Sequence, residues 1–121
     1  MKVFIADDSE VVCERLKTML SDLPDTEVVG QAKDVPGSIE SIRTLHPDVV
    51  ILDIRMPGGS GIDVLEETKK INTAPVVIVL TNYPYPQYRK KCMDLGAEYF
   101  FDKSTEFEKV PEVLKKPILS R

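Results

Sequence analysis

A chain of 121 residues, 42% hydrophobic and 30% charged, has the size and balance of one ordinary globular domain with its own core, which excludes a disordered segment. Its net charge of −4, without a basic stripe, argues against nucleic acid as a direct ligand. The apolar runs around Val49–Leu52 and Val76–Leu80 are too short to cross a bilayer, and Asp7-Asp8 follow the N-terminal run too soon for a signal peptide, so a cytoplasmic protein with reduced Cys13 and Cys92 is predicted.

Strand-like and helix-like patterns then alternate along the chain. Lys2–Ala6 is a β-rich run. Val12, Leu16, Met19, Leu20 and Leu23 recur at helical spacing until Pro24 and Asp25 stop them. Glu27–Ala32 reads as a second strand. Asp34 can cap a second helix, whose face is Val35, Ile39, Ile42 and Leu45 and which Pro47 ends. Asp48–Ile54 contains Val49-Val50-Ile51-Leu52, apolar on both parities, as a strand covered on both faces must be.

Met56–Gly61 reads as a loop, followed by a modest amphipathic helix over Ile62–Ile71. Pro75–Leu80 is a fourth strand with apolar residues on both parities. Tyr83–Leu95 is predicted as a helix with prolines at its entry and Gly96 as its stop. Tyr99-Phe100-Phe101 is a fifth strand. Phe107, Val110, Leu114 and Ile118 line a last helix, in which Pro111 requires either a late start, with the proline in the first turn, or a bend. The order βαβαβαβαβα implies an α/β fold, with a parallel sheet covered by helices on both faces. One domain over residues 1–121 is expected.

In such a sheet, ligands sit beyond the carboxyl ends of the strands. There the first strand ends in Asp7-Asp8, the third in Asp53, the fourth in Thr81 and the fifth in Asp102-Lys103. Clustered carboxylates repel one another and call for a cation. Mg²⁺ suits oxygen ligands, and Lys103 offsets further negative charge. A carboxylate nucleophile, a hard cation, an ammonium and a hydroxyl together suit phosphoryl transfer.

Ala6-Asp7-Asp8-Ser9, Leu52–Gly61, Thr81 and Gly96–Lys103, in this order and at these spacings, resemble the receiver domains of two-component response regulators over the whole chain. The resemblance implies a doubly wound, flavodoxin-like, CheY-like sheet of strand order 2-1-3-4-5. It implies that Asp53 is the phosphoacceptor. Asp7 and Asp8, with Asp53 and the main-chain carbonyl of Arg55, would hold Mg²⁺. Thr81 and Lys103 would bind the phosphoryl group. Phe100, three residues before the lysine, would turn inward behind Thr81 and couple the site to the face of the fourth helix, fifth strand and fifth helix. Implied partners are a sensor histidine kinase or phosphotransfer protein, a downstream protein on that face, and a second copy of the chain. Nucleic acid and membrane are not among them. The only catalysis implied is of the domain's own phosphorylation and dephosphorylation.

The sequence departs from the family's habits in places. Phe100 stands where tyrosine is common, Asn82 where alanine or glycine is frequent, and Ser104 where proline usually follows the lysine. Arg55 and Tyr83 flank the path expected for a hydrolytic water. Each residue also has a plain reading: Asp7-Asp8 as a helix cap, Thr81 as a strand residue, Lys103 as a surface lysine, Phe100 as core, His46 as a helix C-cap, and Arg89-Lys90-Lys91 as a solvated helix face. Two rival functions fit poorly. A haloacid-dehalogenase-like phosphatase places its nucleophile after the first strand, with a second aspartate two residues on, where Ser9 stands here. A flavin carrier needs a phosphate loop in the same place, and the aspartates there would repel the phosphate.

Overall fold

A computed structural model describes residues 1–116. Its elements are β1 (Lys2–Ala6), α1 (Glu10–Leu20), β2 (Glu27–Ala32), α2 (Val35–Leu45), β3 (Val49–Leu52), β4 (Arg55–Met56), β5 (Gly59–Ser60), α3 (Gly61–Lys69), β6 (Val76–Thr81), α4 (Pro86–Asp94), β7 (Tyr99–Asp102) and α5 (Lys109–Leu114). The main sheet is parallel, in the order β2-β1-β3-β6-β7. Counting only its five strands, this is the expected 2-1-3-4-5 order. No helix among the described residues is long and apolar enough to cross a membrane.

Residue parity divides the core. Val3, Ile5, Ile51, Ile78, Leu80 and Phe101 face one side, where Leu16, Leu20 and Val110 cover them. Phe4, Val50, Leu52, Val77, Val79 and Phe100 face the other, under Ile42, Val64 and Leu65. Every residue of β3 and β6 is buried, which explains their unbroken apolar runs. Full burial of each such side chain contributes about 1.5–3 kcal/mol. Cys13 and Cys92 are buried and free within these layers, and burial raises the Cys92 thiol pKa to about 11.

Local chemistry sets the helix ends. Ser9 caps α1 by accepting from the Val12 N–H, and Asp34 caps α2 by accepting from the Gly37 N–H. His46 closes α2 as an exposed residue in the left-handed conformation (φ 49°). α1 stops at Leu20, so Leu23 packs on the core from beyond the helix.

Two expectations need correction. The α4 helix begins at Pro86, not Tyr83, because Tyr83 and Tyr85 each precede a proline and are held out of helical geometry. The segment read as a loop over Met56–Gly61 contains a small antiparallel hairpin, with Arg55 opposite Ser60 and Met56 opposite Gly59, turned through Gly58 at φ 88°. Pro111 is the third residue of α5, so the late-start alternative holds, and Phe107, expected within this helix, packs on the core from before it. Ile118 lies outside the described residues.

Candidate functional site

Strand order creates the site. From β1 the chain adds β2 on one side and β3 on the other, so the switch point is the crevice where β1 and β3 end. Asp7 follows β1 and Asp53 follows β3. The Asp53 N–H donates to the Ala6 carbonyl at 2.9 Å, and the Asp7 N–H donates to Ala32 at 3.0 Å. Hydrogen bonds that continue the sheet thus fix both main chains. Behind Asp53 the chain makes a close approach: a Cβ on Gly61 would overlap the Asp53 carbonyl, and the Gly61 N–H donates to Ile54 at 2.6 Å. Ser60 and Asp63 form a capping box that starts α3 at this point.

One ammonium joins the carboxylates. Lys103 Nζ lies 2.7 Å from Asp7 Oδ2 and 2.9 Å from Asp53 Oδ2, and all three side chains are more than nine-tenths buried. Asp53 Oδ1 accepts from the Ile54 N–H at 2.7 Å, and Asp7 Oδ1 from the Ser9 N–H at 2.8 Å. Asp8 is exposed at the rim, yet one carboxylate oxygen from each of Asp7, Asp8 and Asp53 lies within 4.8 Å of the others.

Burial raises the Asp7 pKa above the ordinary carboxylate value. The Lys103 and Ser9 hydrogen bonds oppose this without cancelling it, and the Asp53 charge adds to it. For Lys103, burial disfavours the ammonium, but hydrogen bonds to Asp7 and Asp53 outweigh it and raise the pKa. Three carboxylates against one ammonium leave an excess of negative charge in a mostly buried place. A donor set made of hard oxygens fits a hard divalent cation such as Mg²⁺.

The remaining expected residues lie on neighbouring strands and the turns that follow them. Thr81 is the last residue of β6, fully buried, and its Oγ1 accepts from the Tyr83 N–H at 3.0 Å. The Lys103 N–H donates to the Thr81 carbonyl at 2.9 Å, tying the two strand ends together. Arg55 opens the β4–β5 hairpin directly after the acidic cluster. Its guanidinium lies 4.0 Å above the Tyr83 ring, so the loops after β3 and β6 are stacked together. Asn82 and Ser104 are exposed. Phe100 is buried in the α4-side core and receives a hydrogen bond from Arg89 Nη1 to its carbonyl at 3.2 Å.

Residues 3–115 match the family model described as the response regulator receiver domain. The chain belongs to the response-regulator receiver family. Its relatives agree. An uncharacterized transcriptional regulatory protein, YvfU of Bacillus subtilis, is 33% identical over 96% of this receiver and 58% of its own length. A protein-glutamate methylesterase/protein-glutamine glutaminase of Methanospirillum hungatei is 34% identical over 93% of this receiver and 34% of its own length. The chain thus spans only part of these curated relatives. Among solved structures, the response regulator domain of Thermotoga maritima CheB aligns with a TM-score of 0.83 and 32% identity, covering 95% of this receiver and 91% of that chain. The isolated REC domain of RcsB from Salmonella enterica serovar Typhimurium, solved in the presence of phosphomimetic BeF₃⁻, aligns with a TM-score of 0.86 and 30% identity, covering 94% and 85%.

Within this receiver, the residues brought together are Asp7, Asp8, Asp53 and Lys103, with Thr81 joined to Lys103 through the main chain. Sequence reasoning passed over the close approach at Gly61, read Arg89 only as part of a solvated helix face, and read Asp102 only as the polar end of the fifth strand. The capping box was readable as Ser60 followed three residues later by Asp63. The close approach of Gly61 has no local signature.

Proposed function

We propose that this receiver accepts a phosphoryl group on Asp53 from the phosphohistidine of a sensor histidine kinase or of a phosphotransfer protein, and that the added charge switches a partner-binding face. The observation that carries the reading is the buried Asp7–Lys103–Asp53 arrangement with Asp8 at its open side.

A carboxylate oxygen of Asp53 bonds to phosphorus as the donor's P–N bond breaks, and the imidazole leaves with the electron pair. Asp7, Asp8, Asp53 and the Arg55 carbonyl would hold Mg²⁺, which would supply positive charge to offset the negative charge gained by the phosphoryl oxygens. Lys103 has three ammonium protons and two carboxylate partners, which leaves a donor for a phosphoryl oxygen. Thr81 Oγ1 already accepts from Tyr83, so its hydroxyl proton remains available to the same group. Phe100, already buried in the α4-side core, would couple Thr81 to the face of α4, β7 and α5 through a change in its packing. A downstream protein or a second copy of the receiver reads that face. The reverse chemistry is self-directed. Water attacks phosphorus, the P–O bond to Asp53 breaks, and inorganic phosphate leaves. The Arg55–Tyr83 stack flanks that water's approach.

Intact mass spectrometry after incubation with acetyl phosphate tests the reading. A gain of one phosphoryl group that requires both Mg²⁺ and Asp53 supports it. Folded protein that binds Mg²⁺ and gains nothing, or an Asp53→Ala variant that gains the same mass, overturns it.

A further inference from the structure

Among the described residues, Lys103 is the cation that pairs with Asp53, and its main chain is held on one side by the bond from its N–H to the Thr81 carbonyl and on the other by the turn that follows β7. It follows the last residue of the edge strand β7, and α5 does not begin until Lys109. The hydrogen bonds of the residue before it shape the turn. Asp102 Oδ1 accepts from both the Ser104 N–H at 2.8 Å and the Ser104 hydroxyl at 2.6 Å. The Asp102 carbonyl accepts from the Glu106 N–H at 2.8 Å and the Thr105 N–H at 3.3 Å. The Asp102 N–H donates to Glu106 Oε1 at 3.0 Å. Glu106 is in turn held by Lys109 at 2.8 Å. Asp102 stands next to Lys103 in sequence, yet its carboxylate is not one of the clustered three.

We propose that Asp102 is a positioning residue for Lys103: its carboxylate builds the turn that fixes the Lys103 main chain at the end of β7, so that the ammonium reaches Asp53 and Asp7. The consequence for phosphoryl transfer rests on the reading of Asp53 given above. An Asx-type turn needs only a side-chain oxygen in this place, not a charge. Asn at position 102 keeps such an oxygen and Ala does not. A lysine displaced by a fraction of its reach no longer supports the reacting oxygens, and rates are sensitive to such shifts. Mg²⁺ binding behaves differently, because Lys103 competes with a cation for Asp7 and Asp53. Loosening the lysine does not weaken the metal.

The test compares Asp102→Ala and Asp102→Asn with wild type in three measurements: the rate of phosphorylation by acetyl phosphate, Mg²⁺ affinity, and the Lys103 ammonium resonance in ¹⁵N-lysine-labelled protein, assigned by its loss in Lys103→Met. Asp102→Ala should be slower by about tenfold, bind Mg²⁺ at least as tightly as wild type, and shift its Lys103 resonance toward that of an exposed lysine. Asp102→Asn should stay within about twofold of wild type with an unmoved resonance. An unmoved resonance in Asp102→Ala, an Asn variant that behaves like the Ala variant, or a parallel loss of Mg²⁺ affinity overturns the proposal. If wild type takes no phosphoryl group while the resonances behave as stated, the phosphoacceptor reading fails and the positioning role stands.

Discussion

At the scale of single residues, the site is a group of carboxylates that the fold holds at a cost. Asp7 has its pKa raised by burial, so between the unfolded and folded values the native state binds more protons than the unfolded chain. Stability therefore falls as pH rises through that window, and the penalty is fully present above it. Asp7→Asn removes the penalty. In Mg²⁺-free buffer at neutral pH the variant should be more stable by about 1 kcal/mol, on the order of 4 °C in Tm. That advantage should disappear once the pH falls below the ordinary carboxylate range. Denaturant melts across pH check both statements, and equal stability at neutral pH would show that the Lys103 pair offsets burial completely.

Lys103 makes the complementary case. Replacing it by Met keeps the stem and removes only the ammonium, leaving Asp7 and Asp53 buried without their shared partner. Breaking a buried pair in this way costs about 3 kcal/mol. Because the remaining excess charge is what a divalent cation neutralises, Mg²⁺ should restore more stability to Lys103→Met than it adds to wild type. Thermal melts with and without Mg²⁺ read the difference directly, and an equal Mg²⁺ increment in both proteins would contradict it.

At the scale of elements, what the sequence displays and what it hides follow from range. The main strands were legible because parity is local: Val49–Leu52 and Val76–Leu80 are apolar on both faces, and only a covered strand tolerates that. The polar residues at strand ends were legible for the same reason, since Asp7, Asp53, Thr81 and the pair Asp102-Lys103 each follow such a run. The β4–β5 hairpin was not, because two-residue strands have no period and Gly58-Gly59 read as a loop. The start of α4 was readable in principle from Pro84 and Pro86, whose preceding residues avoid helical geometry. Gly61 was beyond sequence reasoning altogether, because the atom that excludes a side chain there is the Asp53 carbonyl, eight positions away. Gly61→Ala must push either the start of α3 or the segment carrying Asp53. A loss of about 2 kcal/mol is expected in a urea melt, with slower Asp53 phosphorylation in the protein that remains folded. A variant with wild-type stability and rate would show that the hairpin yields freely.

At the scale of the whole molecule, the proposed switch requires that a charge at the end of β3 be read at α4 and β7. Arg89 connects them. It reaches from α4 to the Phe100 carbonyl, with its guanidinium carbon 5.5 Å from the Phe100 ring centroid, while Phe100 is packed in the α4-side core. In this arrangement Arg89 favours the state in which Phe100 stays where it is. If phosphorylation shifts Phe100 from this buried position, Arg89 loses its grip there, and the two states differ by that interaction. Coupling is reciprocal: a change that weakens the resting state at α4 must tighten binding at Asp53 by the same factor. A hydrogen bond from an exposed arginine is worth about 1 kcal/mol, so Arg89→Ala should bind BeF₃⁻ with Mg²⁺ roughly fivefold more tightly than wild type. Calorimetric titration measures this. Introduced into Phe100→Ala, the same Arg89→Ala change should bring a smaller gain, because the ring contact is already gone and only the hydrogen bond to the carbonyl remains. Unchanged affinity in Arg89→Ala would mean that the α4 contact is the same in both states and that the signal leaves the site by another route.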